Sequence, residues 1–336
     1  MTLSLAKAVV FLIQLNYEEI QLSLSNEMAM MDQKFKEVLY SNHDYLKRLH
    51  DHTLLSPGKR LRPVLLFLCS KMLGYKGDNH IIYATVFELI HTATLIHDDV
   101  IDDADTRRGH DTLNQEEGNV LTILFGDLLY TKANTLAIKA GSLEVMALIS
   151  SVTEEMIEGE LLQEKHSFDM NMTERDYFNI LSRKTAFLFG GTSKTAGVTA
   201  GCTPQQCEAL YQYGYNLGIS FQLVDDYLDY IGNKKQLGKP VLSDLLAGKM
   251  TLPIIRFHNE NRDIASPLIQ KIWDEKDGKT LQKLADLVRQ SSSFKKTLEM
   301  SREYAEKAVA QLNGFPENKY KEILRQIPIQ MLDRSR

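Results

Sequence analysis

Apolar residues run in long blocks along most of this chain, separated by polar breaks, and their spacing is helical rather than alternating. Residues 64–73 follow Pro63, a residue suited to a first helical turn. Residues 81–103 form a longer run whose acids gather at its C-terminal end. Residues 119–139 and 143–165 predict two more helices, set off by polar breaks at 111–118 and Gly141. Thr173, with Asp176 three positions on, can cap the next helix. Thr203-Pro204 opens another that reaches about Ile231. The last 80 residues are more polar, with helical stretches near 281–288 and 302–312. Strand signals are nearly absent, apart from a weak hairpin cue at Leu312-Asn313-Gly314-Phe315. The pattern predicts one all-α domain over residues 1–336, with short connections except the polar stretch 232–248.

Composition narrows the function classes. Lys+Arg is 39 against 44 Asp+Glu, a net charge of -5. That balance argues against generic nucleic-acid binding, which needs a strongly basic surface. Proline is only 8 of 336 residues, so long helices can run unbroken. Cys69, Cys202 and Cys207 are too few and too scattered for a disulfide framework or a zinc site, and fit a reducing, cytoplasmic setting. No Gly-rich dinucleotide fingerprint or P-loop occurs. Residues 5–15 (LAKAVVFLIQL) are too short to span a bilayer, which takes about 20 apolar residues. They read as a docked N-terminal helix, with peripheral membrane contact or a signal remnant as the alternative.

The strongest chemical signal is HDDVIDD at residues 97–103. Asp98 and Asp102 lie four apart, as do Asp99 and Asp103, so each pair shares a helix face and repels. Acids at a helix C-terminus also oppose the macrodipole. The plain alternative is a solvated helix end, but the arrangement destabilises the helix unless a cation binds. Oxygen-only donors point to a hard cation such as Mg²⁺. A second cluster, FQLVDDYLD at residues 221–229, lies more than 120 residues away on another apolar helix. There Asp225 and Asp229 are again four apart, with Gln222 on the same stripe. Facing one another across a bundle cavity, the two clusters would form a carboxylate-lined cation site. Cations flank both: GKRLRP at 58–63, Arg107-Arg108, Lys184-Thr185, Gly238-Lys239-Pro240 and Gly248-Lys249. Singly each reads as a surface cation; together they suit a polyanionic substrate such as a diphosphate. His91, two turns before Asp98, shares its face.

These blocks, in this order and spacing from about Gly58 to Pro253, resemble the trans-isoprenyl diphosphate synthases and, within them, the long-chain polyprenyl diphosphate synthases. The resemblance implies a single large helical bundle around a deep central cavity, the isoprenoid synthase fold, with its motif-bearing core at about 58–256. It implies Mg²⁺, three ions with substrate bound, and usually a homodimer, with a heteromeric partner subunit as the alternative. By position, Asp98, Asp99 and Asp102 match the first aspartate-rich motif, and Asp225, Asp226 and Asp229 the second. Asp98, Asp99, Asp102, Asp225 and Asp229 are the implied metal ligands. Asp98, Asp99, Asp102, Asp225, Asp226 and Lys184 are the implied catalytic set. Lys59, Arg62, His91 and Arg108 match the isopentenyl diphosphate site. Arg107, Lys184, Gln222 and Lys239 match the allylic side, and Thr185 and Lys249 complete the substrate-binding set. The implied reaction joins isopentenyl diphosphate to an allylic diphosphate, farnesyl or geranyl, giving an all-trans product of the kind used for quinone side chains. A terpene cyclase would need no second diphosphate site, so the cations at 58–63 count against one. Short-chain relatives block the tunnel with aromatics at positions held here by Ala93 and Thr94. Both are small, which implies a product of about six or more isoprene units. Phe125, Ile123 and Leu128 on the following helix are candidates for the tunnel floor.

Overall fold

The computed structural model describes residues 19–20, 22–54, 58, 60–107, 109–231 and 242–333. Helices dominate it. Helix α1 spans Ser25–Leu39, α2 Asp44–Leu54, α3 Leu61–Met72 and α4 Asn79–Ile101. A short helix, α5 (Leu113–Glu117), leads into α6 (Asn119–Lys139) and α7 (Leu143–Lys165). Then come α8 (Glu174–Leu181), a π-helical turn at Ser182–Ala186, α9 (Phe187–Thr199) and α10 (Pro204–Ile231). The C-terminal part holds α11 (Ser243–Leu246), α12 (Leu252–Glu260), α13 (Arg262–Glu275), α14 (Gly278–Gln290), α15 (Ser292–Ala310) and α16 (Lys319–Asp333). The helices expected within the described residues are all present. Thr173 and Asp176 form a reciprocal capping box at α8, and Ser142, Asp277 and Ser291 cap α7, α14 and α15.

Helix α3 is buried all round from Pro63 to Ser70, as a helix in the middle of a bundle must be. The two acid-bearing helices are also central. Helix α4 packs on α1, α3 and α6, and α10 on α9 and α15. One apolar core joins α1, α3, α4, α6, α7 and α9; a second gathers α8, the C-terminal half of α10 and α12 to α15. Ile96, beside the first acidic cluster, belongs to the first core, and Leu223 and Tyr230, flanking the second cluster, belong to the second.

Two sequence expectations change. A small antiparallel hairpin occurs at Thr106–Arg107 (β1) and His110–Asp111 (β2), turning at Gly109, whose φ of 84° suits glycine. The Asn-Gly cue near residue 312 instead lies in a 3₁₀ turn, Gln311–Gly314, because no second alternating run follows for it to pair with. The N-terminal segment 5–15 lies outside the described residues, as does most of the polar stretch after α10. Among the described residues, no helix is long and apolar enough to cross a membrane.

Candidate active site

Helix α4 ends at Ile101, within the first acidic cluster. The Asp102 N–H still donates to the Asp98 carbonyl at 2.8 Å, so these two carboxylates keep a shared face. Asp103 does not continue it: its φ is 47°, in the left-handed region, and the Asp99–Asp103 pairing expected from spacing is lost. Charge repulsion and the adverse dipole end the helix here. Each remaining acid meets a cation. Arg107, carried by β1, places Nε and Nη2 both 2.7 Å from Asp99 Oδ1. Lys249 Nζ sits 2.8 and 3.0 Å from the two oxygens of Asp102. Lys184 pairs with Glu160 at 2.5 Å, and both act on Asp98. Burial and the Glu160 charge push the Asp98 carboxyl up to about 6, against the pull of Lys184. Burial also raises Asp99, with Arg107 opposing.

The second cluster is held more rigidly. Asp226, only 3% exposed, accepts from Tyr177 Oη at 2.5 Å and Gln222 Nε2 at 3.0 Å. Thr185 Oγ1 donates in turn to Gln222 Oε1 at 3.1 Å, so Thr185 and Gln222 form one chain with Asp226. Both Asp226 oxygens are thereby engaged. Burial, reinforced by Asp244, lifts its carboxyl to about 8. Asp229 accepts from the Ser243 N–H and hydroxyl at 3.3 and 3.1 Å, and burial with Asp244 lifts it to about 6. Asp225 is half-buried beside them.

Lys184 and Thr185 lie in the π turn. Such turns displace side chains from ordinary helical positions and recur at functional sites. This one is gripped from both sides at glycines. A Cβ on Gly159 of α7 would fall 3.0 Å from the Lys184 nitrogen, and one on Gly218 of α10 would fall 2.7 Å from Ala186 Cα. A cleft opens beside it, lined by Gln163, Lys184, Thr185, Gln222, Asp244 and Lys249 among others.

Arg62 is half-buried, 5.0 Å over the Phe189 ring and near Glu88, with desolvation of its guanidinium holding it down to about 10. His91 is half-buried one turn past Glu88 on α4. Ala93 is buried in the core, and Thr94 is half-buried, its hydroxyl donating to the His91 carbonyl at 2.8 Å. Phe125 is buried, 5.5 Å from the His50 ring, and Leu128 is half-buried. Ile123 is corrected: it is 43% exposed, on the outer side of α6, where its carbonyl meets His97 at 3.1 Å. Lys59, Arg108 and Lys239 lie outside the described residues. Glu160, Gln163, Tyr177 and Asp244 belong to this region but were not expected from the sequence. Glu158-Gly159-Glu160 within an apolar helix was a usable cue for Glu160; Tyr177 carried none.

Among the described residues, no three carboxylate, imidazole or thiolate groups converge as a ready-made metal cage. Mg²⁺ does not require one, since it binds through one or two carboxylates plus phosphate oxygens and water. The donors are all carboxylate oxygens, and burial raises both Asp98, with Glu160 adding to it, and Asp229, with Asp244 adding to it, so that ionising them here favours a bound cation. The residues present fit a hard divalent cation shared with a diphosphate.

An all-helical bundle that carries two acidic clusters, the first paired with Arg107 and Lys249 and the second held by Tyr177, Gln222 and Ser243, has the frame of a prenyltransferase. The chain belongs to the polyprenyl synthetase family, whose sequence model matches residues 43–290. It is 35% identical over 311 residues to the octaprenyl diphosphate synthase of Escherichia coli K12, covering 92% of this chain and 96% of that protein. The crystal structure of a polyprenyl synthase from Caulobacter crescentus CB15, complexed with calcium and isoprenyl diphosphate, matches with a TM-score of 0.90 at 31% identity, over 95% of this chain and 98% of that one. A decaprenyl diphosphate synthase from Rhodobacter capsulatus matches with a TM-score of 0.89 at 30% identity, over 95% and 99%.

Proposed function

We propose that this protein is a Mg²⁺-dependent long-chain trans-polyprenyl diphosphate synthase that adds isopentenyl diphosphate repeatedly to an allylic diphosphate. The observation that carries the reading is the Lys249–Asp102 contact. It brings the segment after the second acidic cluster onto the first, across 147 residues of sequence. That contact supports reading the two clusters as one site.

In this reading the allylic diphosphate lies between the clusters. Asp98, Asp99 and Asp102 would hold metal on one side, and Asp225 and Asp229 on the other. Bound Mg²⁺ supplies Lewis-acid stabilisation of the charge building on the departing diphosphate. Arg107, Lys184 and Lys249 stabilise the same charge. Thr185 and Gln222, oriented by Asp226, hold the ester end in line. The carbon left behind is an allylic cation. Arg62 and His91, with Lys59 and Arg108, orient isopentenyl diphosphate so that its alkene attacks that carbon. The departing diphosphate is the base for the proton then lost. The apolar walls below exclude water that would capture the cation. Ala93 and Thr94 leave room for the growing tail beneath Asp98, and we infer a product of at least six isoprene units.

The assembly we propose is a homodimer. Helices α6 and α7 leave Val120, Leu124, Ile157 and Leu161 between 56% and 72% exposed, an apolar face that a second copy would cover. We place it in the cytoplasm, where Cys69, Cys202 and Cys207, all free here, stay reduced. The test is incubation of the purified protein with Mg²⁺, farnesyl diphosphate and isopentenyl diphosphate, followed by product chromatography. Long linear prenyl diphosphates support the reading. A cyclic hydrocarbon, or products that stop at twenty carbons, would refute it, and activity only on adding a second protein would point to a heteromer.

A further inference from the structure

We propose that Phe168 and Trp273 are positioning residues for the diphosphate end of the site and that Trp273 senses its occupancy. The inference rests on the function proposed above. The segment 242–250 ties the two acidic clusters together. At one end Leu242 N–H donates to the Asp229 carbonyl at 3.1 Å and Ser243 bonds the Asp229 carboxylate. At the other, Lys249 holds Asp102. Between these anchors two aromatic residues from elsewhere grip the backbone. Phe168 N–H donates to the Gly248 carbonyl at 2.9 Å, and its ring lies so close that a Cβ at position 248 would fall 2.7 Å from it. Trp273 Nε1–H donates to the Leu245 carbonyl at 2.9 Å. The two rings meet edge to face, 5.4 Å apart at 77°.

Phe168 is unusual in two independent ways. Its φ is 59°, a conformation that suits glycine or asparagine and disfavours a bulky side chain. It is also 54% exposed, so burial does not account for a phenyl ring here. The contacts that do account for it are those to Gly248 and Trp273. Backbone strain of this kind persists where surrounding contacts over-determine it. Here those contacts fix the residue next to Lys249 and, through Leu245, the residue next to Asp244. A diphosphate drawing Lys249 away from Asp102 must move this segment, and the Leu245 carbonyl passes that movement to the indole. Trp273 is the chain's one tryptophan, so its emission reports the change without a label.

The experiment titrates the full-length protein with inorganic pyrophosphate at fixed Mg²⁺, following tryptophan emission and calorimetric heat in parallel. Wild type should show a saturable emission change with the same midpoint as the heat. Phe168→Asn relieves the backbone strain while removing the ring. It should fold at least as stably, yet weaken pyrophosphate binding and raise the allylic KM about tenfold, one lost charge-assisted contact, with the isopentenyl KM within about twofold. Trp273→Phe keeps the ring but not the N–H, and should show a smaller loss in the same direction. Calorimetric binding without any emission change would overturn the inference and leave the proposed function standing. So would Phe168→Asn and Trp273→Phe kinetics equal to wild type, or an equal rise in both KM values. Absence of binding altogether would overturn the proposed function and this inference with it.

Discussion

Replacing Asp98 by Asn should stabilise the metal-free protein and disable the enzyme, and the first effect has a defined pH dependence. Burial and Glu160 raise the Asp98 carboxyl from an ordinary 3.8 to about 6. A carboxyl raised in the folded state binds its proton more tightly there than in the unfolded chain. Its favourable contribution is complete below pH ~4 and is lost as pH climbs through ~6. The shift of about 2 units corresponds to at most about 3 kcal/mol above pH 7, at ~1.36 kcal/mol per unit. Unfolding entropy of ~2.1 cal/mol/K per residue gives about 0.7 kcal/mol/K for this chain, so Tm should rise by about 4 °C at most. Asparagine carries no charge and avoids the penalty. Scanning calorimetry in chelator should therefore find the Asp98→Asn advantage small near pH 4.5 and largest near pH 8. Turnover should fall by about 10²–10³, the scale of losing one preorganised charge from a developing anion. An advantage that does not grow with pH would refute the electrostatic reading of this carboxylate. Near-normal turnover at saturating Mg²⁺ would refute its place in the active site.

Arg62→Ala should raise the isopentenyl diphosphate KM about ten- to hundredfold, the loss of a charge-assisted hydrogen bond worth about 1.5–3 kcal/mol, with the allylic KM unchanged in steady-state kinetics. Lys184→Ala should weaken the allylic side instead. By leaving Glu160 uncompensated beside Asp98 it should also move the acid limb of the kcat profile to higher pH; an unmoved limb would separate Lys184 from that carboxylate. Thr94→Phe puts a ring one turn, about 5.4 Å, beneath Asp98, so products should shorten while the first condensations keep their rate. Unchanged product length from folded protein would mean the tail does not pass this face.

The helical fold was legible because its periodicity is local. The expected segments 119–139 and 143–165 are the helices observed, and the capping box at Thr173 follows from two side chains three residues apart. Both acidic clusters were legible for a related reason. Like charges at i, i+4 on an apolar helix are costly enough to imply a ligand. What the sequence could not supply was partnership across distance. Nothing local joins Lys249 to Asp102, Tyr177 to Asp226, or Lys184 to Glu160, and no spacing rule foretells that Asp103 turns left-handed out of its cluster. Those pairings depend on how closely whole helices approach, as Gly159 and Gly218 allow around the π turn. The sequence by itself determined which residues carry charge and on which helix face. Only the packing of those helices decided which carboxylates meet a cation, which are tied up by hydrogen bonds, and which stay available to a metal, because burial and opposing charge are properties of the assembled interior.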